Sequence, residues 1–259
     1  MLIGCCADID NYHALESIGF DFIELAGSKI AEMDGDEFER IRKCIMKGQL
    51  PCKSFNAFLP PKVKMAGEGY DYSVLKKYLE SVLERGSYLG ISSVGVGSPP
   101  SRTLPDGFDR KKAVRQITDF LKLASEIASK YSIKVLLEPL TKTQTNFINT
   151  TAEALEILSL LDTANVGLLI DLYHFMAEGE CPESIDVATA GLTGHIHIAD
   201  LDGRTFPIPG NAESYKLLID RLLDLGYKRN ISIEGNYSDF KSEAEVGFDV
   251  LNSIIGQRR

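Results

Sequence analysis

Apolar residues along this chain follow two alternating spacings. Short unbroken runs such as KVLLEP and VGLLID have the continuous hydrophobicity of strands buried on both faces. Between them, apolar positions recur every three or four residues, as they do along one face of a helix. This pattern predicts strands at residues 2–6, 21–26, 52–58, 93–97, 134–138, 166–171, 195–199 and 231–234. It predicts helices at 12–18, 36–47, 72–88, 110–130, 151–161, 214–225 and 242–255. The helix at 72–88 sets Leu75, Leu79, Val82 and Leu83 on one face, and that at 110–130 does the same with Ile117, Phe120, Leu121, Ala124 and Ile127. Gly19 and Gly48 stand where helices should stop, and Thr150 or Thr151 ahead of Glu153 is an N-cap.

Strand and helix alternate to the end, with no Gly/Ser-rich linker or low-complexity tract. The expectation is an α/β protein with one domain over residues 1–259, a single (β/α)8 TIM barrel. The competing fold is an open doubly wound sheet, but no GxGxxG or P-loop supports it. Four strands in the second half end in or near a metal-binding side chain: Glu138, Asp171, His197 and Glu234. Closing the barrel would gather these ends at one mouth, where barrel enzymes keep their chemistry. Two glutamates, an aspartate and a histidine form an oxygen-rich set suited to one divalent metal ion, Mn, Mg, Co or Zn. Such a chain should be an enzyme.

Composition narrows the partners. Hydrophobic residues make up 44% of the chain, enough for a large core, while a net charge of −9 argues against nucleic acid or an anionic membrane surface. The N-terminal MLIGCCADIDN lacks the basic region and long apolar run of a signal peptide, and no segment reaches the roughly 20 apolar residues of a membrane span. Five cysteines without CxxC spacing read as reduced thiols, so a cytoplasmic location is expected.

The segments LEPLTKTQTNFINT, IDLYHFMAEGE, HIHIADLDGRTFPIPG and SIEG together resemble the xylose isomerase-like barrels of metal-dependent sugar isomerases and epimerases. The likeness is strongest to the tagatose/psicose 3-epimerase and hydroxypyruvate isomerase types. It implies a divalent-metal-dependent isomerase or epimerase of a small sugar, sugar phosphate or hydroxy-keto acid, working by proton transfer through an enediolate. It also implies that Glu138 and Glu234 are both ligands and the general acid–base pair. His174, in the D-x-x-H segment, and Arg204 would contact substrate oxygens. The pattern selects His197 over His195 as ligand and leaves His195 packed one layer deeper. Members of such families are often homodimers or homotetramers.

Two strand-end polar residues, Glu24 and Asn56, lie where substrate oxygens could be reached, and the loop GSPPSR offers Ser98 and Arg102 to a phosphate. Departures from the tagatose-type pattern include Gln144 in place of a glutamate, with Thr141, Lys142 and Asn146 also different, while the ADLDGR spacing is closer to the hydroxypyruvate isomerase form. A metal-dependent dehydratase acting on a keto-inositol or shikimate-type compound is the alternative on the same scaffold. An endonuclease IV-type repair enzyme is a more distant one. It needs extra histidines after the third and fourth strands, where this chain has Asn56 and Gly97.

Overall fold

The computed structural model describes residues 1–256; the last three residues of the expected domain lie outside them. Eight parallel strands close into a barrel in sequence order: β1 (Leu2–Cys6), β2 (Phe22–Ala26), β3 (Cys52–Asn56), β4 (Ser93–Val96), β5 (Lys134–Leu137), β6 (Val166–Asp171), β7 (Thr193–Ile198) and β8 (Asn230–Ile233). Closure is made by β8 against β1, with Leu2 opposite Asn230 and Cys5 opposite Ile233. Helices α1 (Tyr12–Ile18), α2 (Gly27–Glu32), α3 (Gly35–Lys47), α4 (Tyr72–Leu89), α5 (Pro99–Arg102) and α6 (Arg110–Ser129) follow the first four strands. After the remaining strands come α7 (Thr151–Ser159), α8 (Leu172–Ala177), α9 (Val187–Leu192), α10 (Ala212–Asp224) and α11 (Phe240–Gly256). No helix among the described residues is long and apolar enough to cross a membrane.

Local chemistry explains most boundaries. Asp34 closes a capping box with Glu37 at the start of α3, and Thr150 accepts from the Glu153 N–H at the start of α7. Gly19 ends α1 in the left-handed region at φ 104°, which a glycine enters without steric cost. Gly48 also follows a helix, but its backbone is extended; a Cβ there would lie 2.1 Å from the Tyr12 hydroxyl, so close approach is what calls for a glycine. The apolar faces read from the sequence are buried where expected, Leu75, Leu79, Val82 and Leu83 among them.

Four helices were not foreseen: α2, α5, α8 and α9. Each has four to six residues, too short for a 3.6-residue period to register. The predicted third and fourth strands also run too far. The chain turns at Ala57 (φ 41°) and Ser98 (φ 46°), so regular pairing stops at Asn56 and Val96. Glu138 and Glu234 sit one residue beyond β5 and β8. They stay tied to the barrel, because their N–H groups donate to the Val96 and Ile198 carbonyls at 3.2 and 3.0 Å.

Candidate active site

At the C-terminal mouth Glu138, Asp171, His197 and Glu234 each offer a ligand atom, all within 4.8 Å of one another. Asp171 N-caps α8: its Oδ1 accepts from the Tyr173 N–H at 2.8 Å, which leaves Oδ2 facing the cluster. His197 lies opposite Asp171 in the β6–β7 register. Its Nε2 meets Glu24 Oε1 at 3.1 Å, and its Nδ1 faces Glu234 Oε2 at 3.3 Å and Glu138 Oε1 at 3.6 Å. With Nε2–H donated to Glu24, Nδ1 points into the carboxylates, where a cation would take the place of the proton that the charged ring carries there. His197 Nδ1 and Glu138 Oε1 are buried and have no hydrogen-bond partner. Two unpartnered buried atoms within an oxygen-rich set that also holds one nitrogen fit a divalent cation.

The electrostatics of this cluster are strongly mixed. Burial pushes the Asp171 carboxyl above its ordinary range, with Glu234 adding to the rise and Arg204 opposing it. Burial would raise Glu234 too, but His197, Arg204 and the Asn56 amide together hold it down to about 2. For His197 burial works against the proton and is outweighed by Glu234 and Glu24, which hold it well above the usual imidazole range. Arg204 reaches into the same place: its Nη2 donates to Glu234 Oε2 at 2.7 Å and Asp171 Oδ2 at 3.0 Å, while its guanidinium stacks over Tyr173. Arg204 itself adopts φ 52°, and its carbonyl accepts from the Asn236 N–H at 2.7 Å.

The remaining expected residues divide. His174 lines the cavity beside the cluster. Its Nδ1 accepts from the Thr141 N–H at 3.3 Å, so Nε2 carries the proton, and that N–H makes no hydrogen bond, lying 3.5 Å from Asp171 Oδ2. Burial, helped by Arg204 and Arg102, lowers its pKa to about 4 against the pull of Glu138 and Glu234, so the ring is neutral at neutral pH. Asn56 turns to the cluster, its Nδ2 donating to Glu234 Oε1 at 2.7 Å.

Glu24 does not reach the mouth. It is fully buried, with its two oxygens on His197 and His195 and with Ser232 Oγ donating to it at 2.8 Å. It holds His197 from below. The one sequence signal was a lone carboxylate inside the apolar strand FIELA, which a fold accepts when buried partners satisfy it. Arg102 and Ser98 both bond to the scaffold, although Arg102 Nε and Nη1 are buried without a hydrogen-bond partner. Arg102 is completely buried with Nη2 on the Glu138 carbonyl at 2.8 Å, and Ser98 Oγ accepts from the Leu59 N–H at 2.9 Å. Arg102 is closed off from the cavity, whereas Ser98 lines it with its Oγ held by the Leu59 N–H.

Above the cluster opens a cavity of about 370 Å³, whose far wall is formed by Leu59, Pro61, Pro100, Leu140 and Gln144.

A family model describing the xylose isomerase-like TIM barrel matches residues 12–254. The 3-dehydro-D-guloside 4-epimerase of Escherichia coli is 24% identical over 88% of this chain and 86% of its own length. A protein of Streptomyces coelicolor described as a putative hydroxypyruvate isomerase is 32% identical over 50% of this chain, a match spanning about half of that relative, 48%. Among solved structures, the D-allulose 3-epimerase of a Methylomonas species in complex with D-allulose superposes with a TM-score of 0.84 at 17% identity, covering 100% of this chain and 97% of that one. At that identity the likeness speaks for the fold.

Proposed function

Because the chain belongs to the xylose isomerase-like TIM-barrel family, we propose that it is a divalent-metal-dependent isomerase or epimerase of a small sugar-like keto compound. The observation that carries this reading is the convergence of four ligand atoms, two of them buried and unpartnered, at the mouth of a cavity of substrate size. Glu138, Asp171, His197 and Glu234 would hold the ion. Once bound, it would supply positive charge to neighbouring substrate oxygens as a carbon-bound proton leaves.

The chain's own residues account for the rest. Glu138 follows β5 and Glu234 follows β8, three strands apart around the barrel, so the two carboxylates can address opposite faces of a substrate lying between them. One would take the proton and the other return it, in the manner of paired general acids and bases. Asn56 fixes the orientation of Glu234, and Arg102 anchors the backbone that carries Glu138. Neutral His174 presents its Nε2–H to a substrate oxygen, and Arg204 holds another oxygen with the N–H groups it does not spend on Asp171 and Glu234.

The test is hydrogen exchange in D2O, followed by NMR, with Mn²⁺-, Mg²⁺- or Co²⁺-loaded protein and a panel of ketoses and hydroxy-keto compounds. Solvent deuterium should enter the carbon next to the carbonyl, and chelation should stop it. Exchange that is indifferent to metal, or absent across the panel, overturns the reading.

A further inference from the structure

We propose that the substrate is an uncharged keto sugar, a free ketose or a keto-glycoside, rather than a sugar phosphate or a keto acid. The inference rests on the isomerase reading above and narrows its substrate class.

Among the described residues lining the cavity, Arg204 is the one cation, and its charge already faces Asp171 and Glu234. Nearby cations are turned elsewhere. Arg102 is sealed beneath the Glu138 carbonyl, Lys64 Nζ donates to the Pro100 carbonyl at 2.7 Å, and Lys142 pairs with Glu178 at 3.0 Å. The far wall joins apolar Leu59, Pro61, Pro100 and Leu140 to the neutral polar groups of Gln144, Ser28 and Ser98.

Phosphates are commonly caught by N–H groups at a helix start. Of the three short helices that touch the cavity, α5 begins with Pro99 and Pro100, two residues without an N–H. The Ser28 N–H in the first turn of α2 is donated to the Ala57 carbonyl, and the first turn of α8 is capped by Asp171. Charge balance argues the same way. At the floor of the cavity the carboxylates of Glu138, Asp171 and Glu234 face the one lining cation, Arg204, and Glu24 lies behind them against His197 and His195. A phosphate would add nearly two more negative charges with no counter-ion. An uncharged sugar instead finds the His174 Nε2–H, the Gln144 amide and the spare Arg204 N–H groups for its hydroxyls. Its C–H face would lie against Leu59 and Leu140.

The experiment compares matched pairs with metal-loaded enzyme in D2O: free ketohexoses and a methyl keto-glycoside against the ketohexose phosphates, hydroxypyruvate and a 2-oxo-aldonic acid. The neutral member should lead in kcat/KM by about 10²-fold, the scale of a charge left unpaired in a closed site. Equal or faster turnover of a phosphate or acid overturns the proposal and leaves the isomerase reading standing. No exchange with any compound overturns both. Gln144→Lys, which puts a cation on the far wall, should shift the ratio of charged to neutral turnover upward by about tenfold or more. An unchanged ratio in a folded Gln144→Lys protein would mean that missing charge is not what sets the preference.

Discussion

At the scale of the residue, the site is a set of carboxylates given different work by their neighbours. Glu138 and Glu234 are proposed both to ligate and to move protons, and glutamine separates the two jobs, since an amide oxygen coordinates but does not accept the proton. Glu138→Gln and Glu234→Gln should each keep measurable metal while losing about 10²- to 10⁴-fold in the rate of substrate hydrogen exchange. Metal content and exchange read on the same preparation decide it; a variant that keeps the wild-type exchange rate has lost no base. Glu24 does a third job. By accepting a hydrogen bond from the His197 Nε2–H it turns Nδ1 toward the cluster, so Glu24→Gln should weaken metal binding by roughly 10- to 100-fold in calorimetry. Unchanged affinity would reduce Glu24 to packing. The four candidate ligands were legible because each stands out at or near the end of an apolar run. The partner of Glu24 was not, since 173 residues separate it from His197 and no spacing rule spans a barrel.

At the scale of the element, what matters is which strand end stands beside which. Gly97 follows β4 and offers no ligand, which in the sequence counted against a nuclease-type site. In the fold it makes room: a Cβ at Gly97 would lie 2.2 Å from Glu138 Oε2. Gly97→Ala should therefore displace the Glu138 carboxylate and depress metal affinity together with hydrogen exchange, leaving the far-ultraviolet circular dichroism of the barrel intact. Normal metal binding by Gly97→Ala would show that Glu138 has another conformation compatible with the site. The strands could be read as unbroken apolar runs, and the long helices because their period persists for many residues. The four short helices could not, although α8 carries His174 and is capped by Asp171. One turn of helix inside a βα loop has no period of its own, and its formation is decided by the cap and by tertiary contacts.

At the scale of the whole molecule, the proposed ligands tie together the ends of β5, β6, β7 and β8, half of a barrel whose closure is made by β8 on β1. The eightfold alternation made closure legible in advance, because parallel strands joined by helices have few other ways to bury both faces. The charge at the mouth was harder to foresee, since it depends on the arginine loop folding back from beyond β7 onto two of the four ligands. An ion bound there binds the folded barrel and not the unfolded chain, in which the four side chains are scattered over 97 positions, from 138 to 234. At free metal about 100-fold above its dissociation constant, the linkage contributes about 2.7 kcal/mol. For a domain of this size each kcal/mol is worth about 2–4 °C, so Mn²⁺ or Co²⁺ should raise the melting temperature by roughly 5–11 °C, reversibly with chelator. Asp171→Ala should abolish the metal-induced rise, whatever it does to the melting temperature without metal. A barrel whose melting is blind to every divalent ion tried, while its fold is intact, would refute the assignment of these four residues as a metal site.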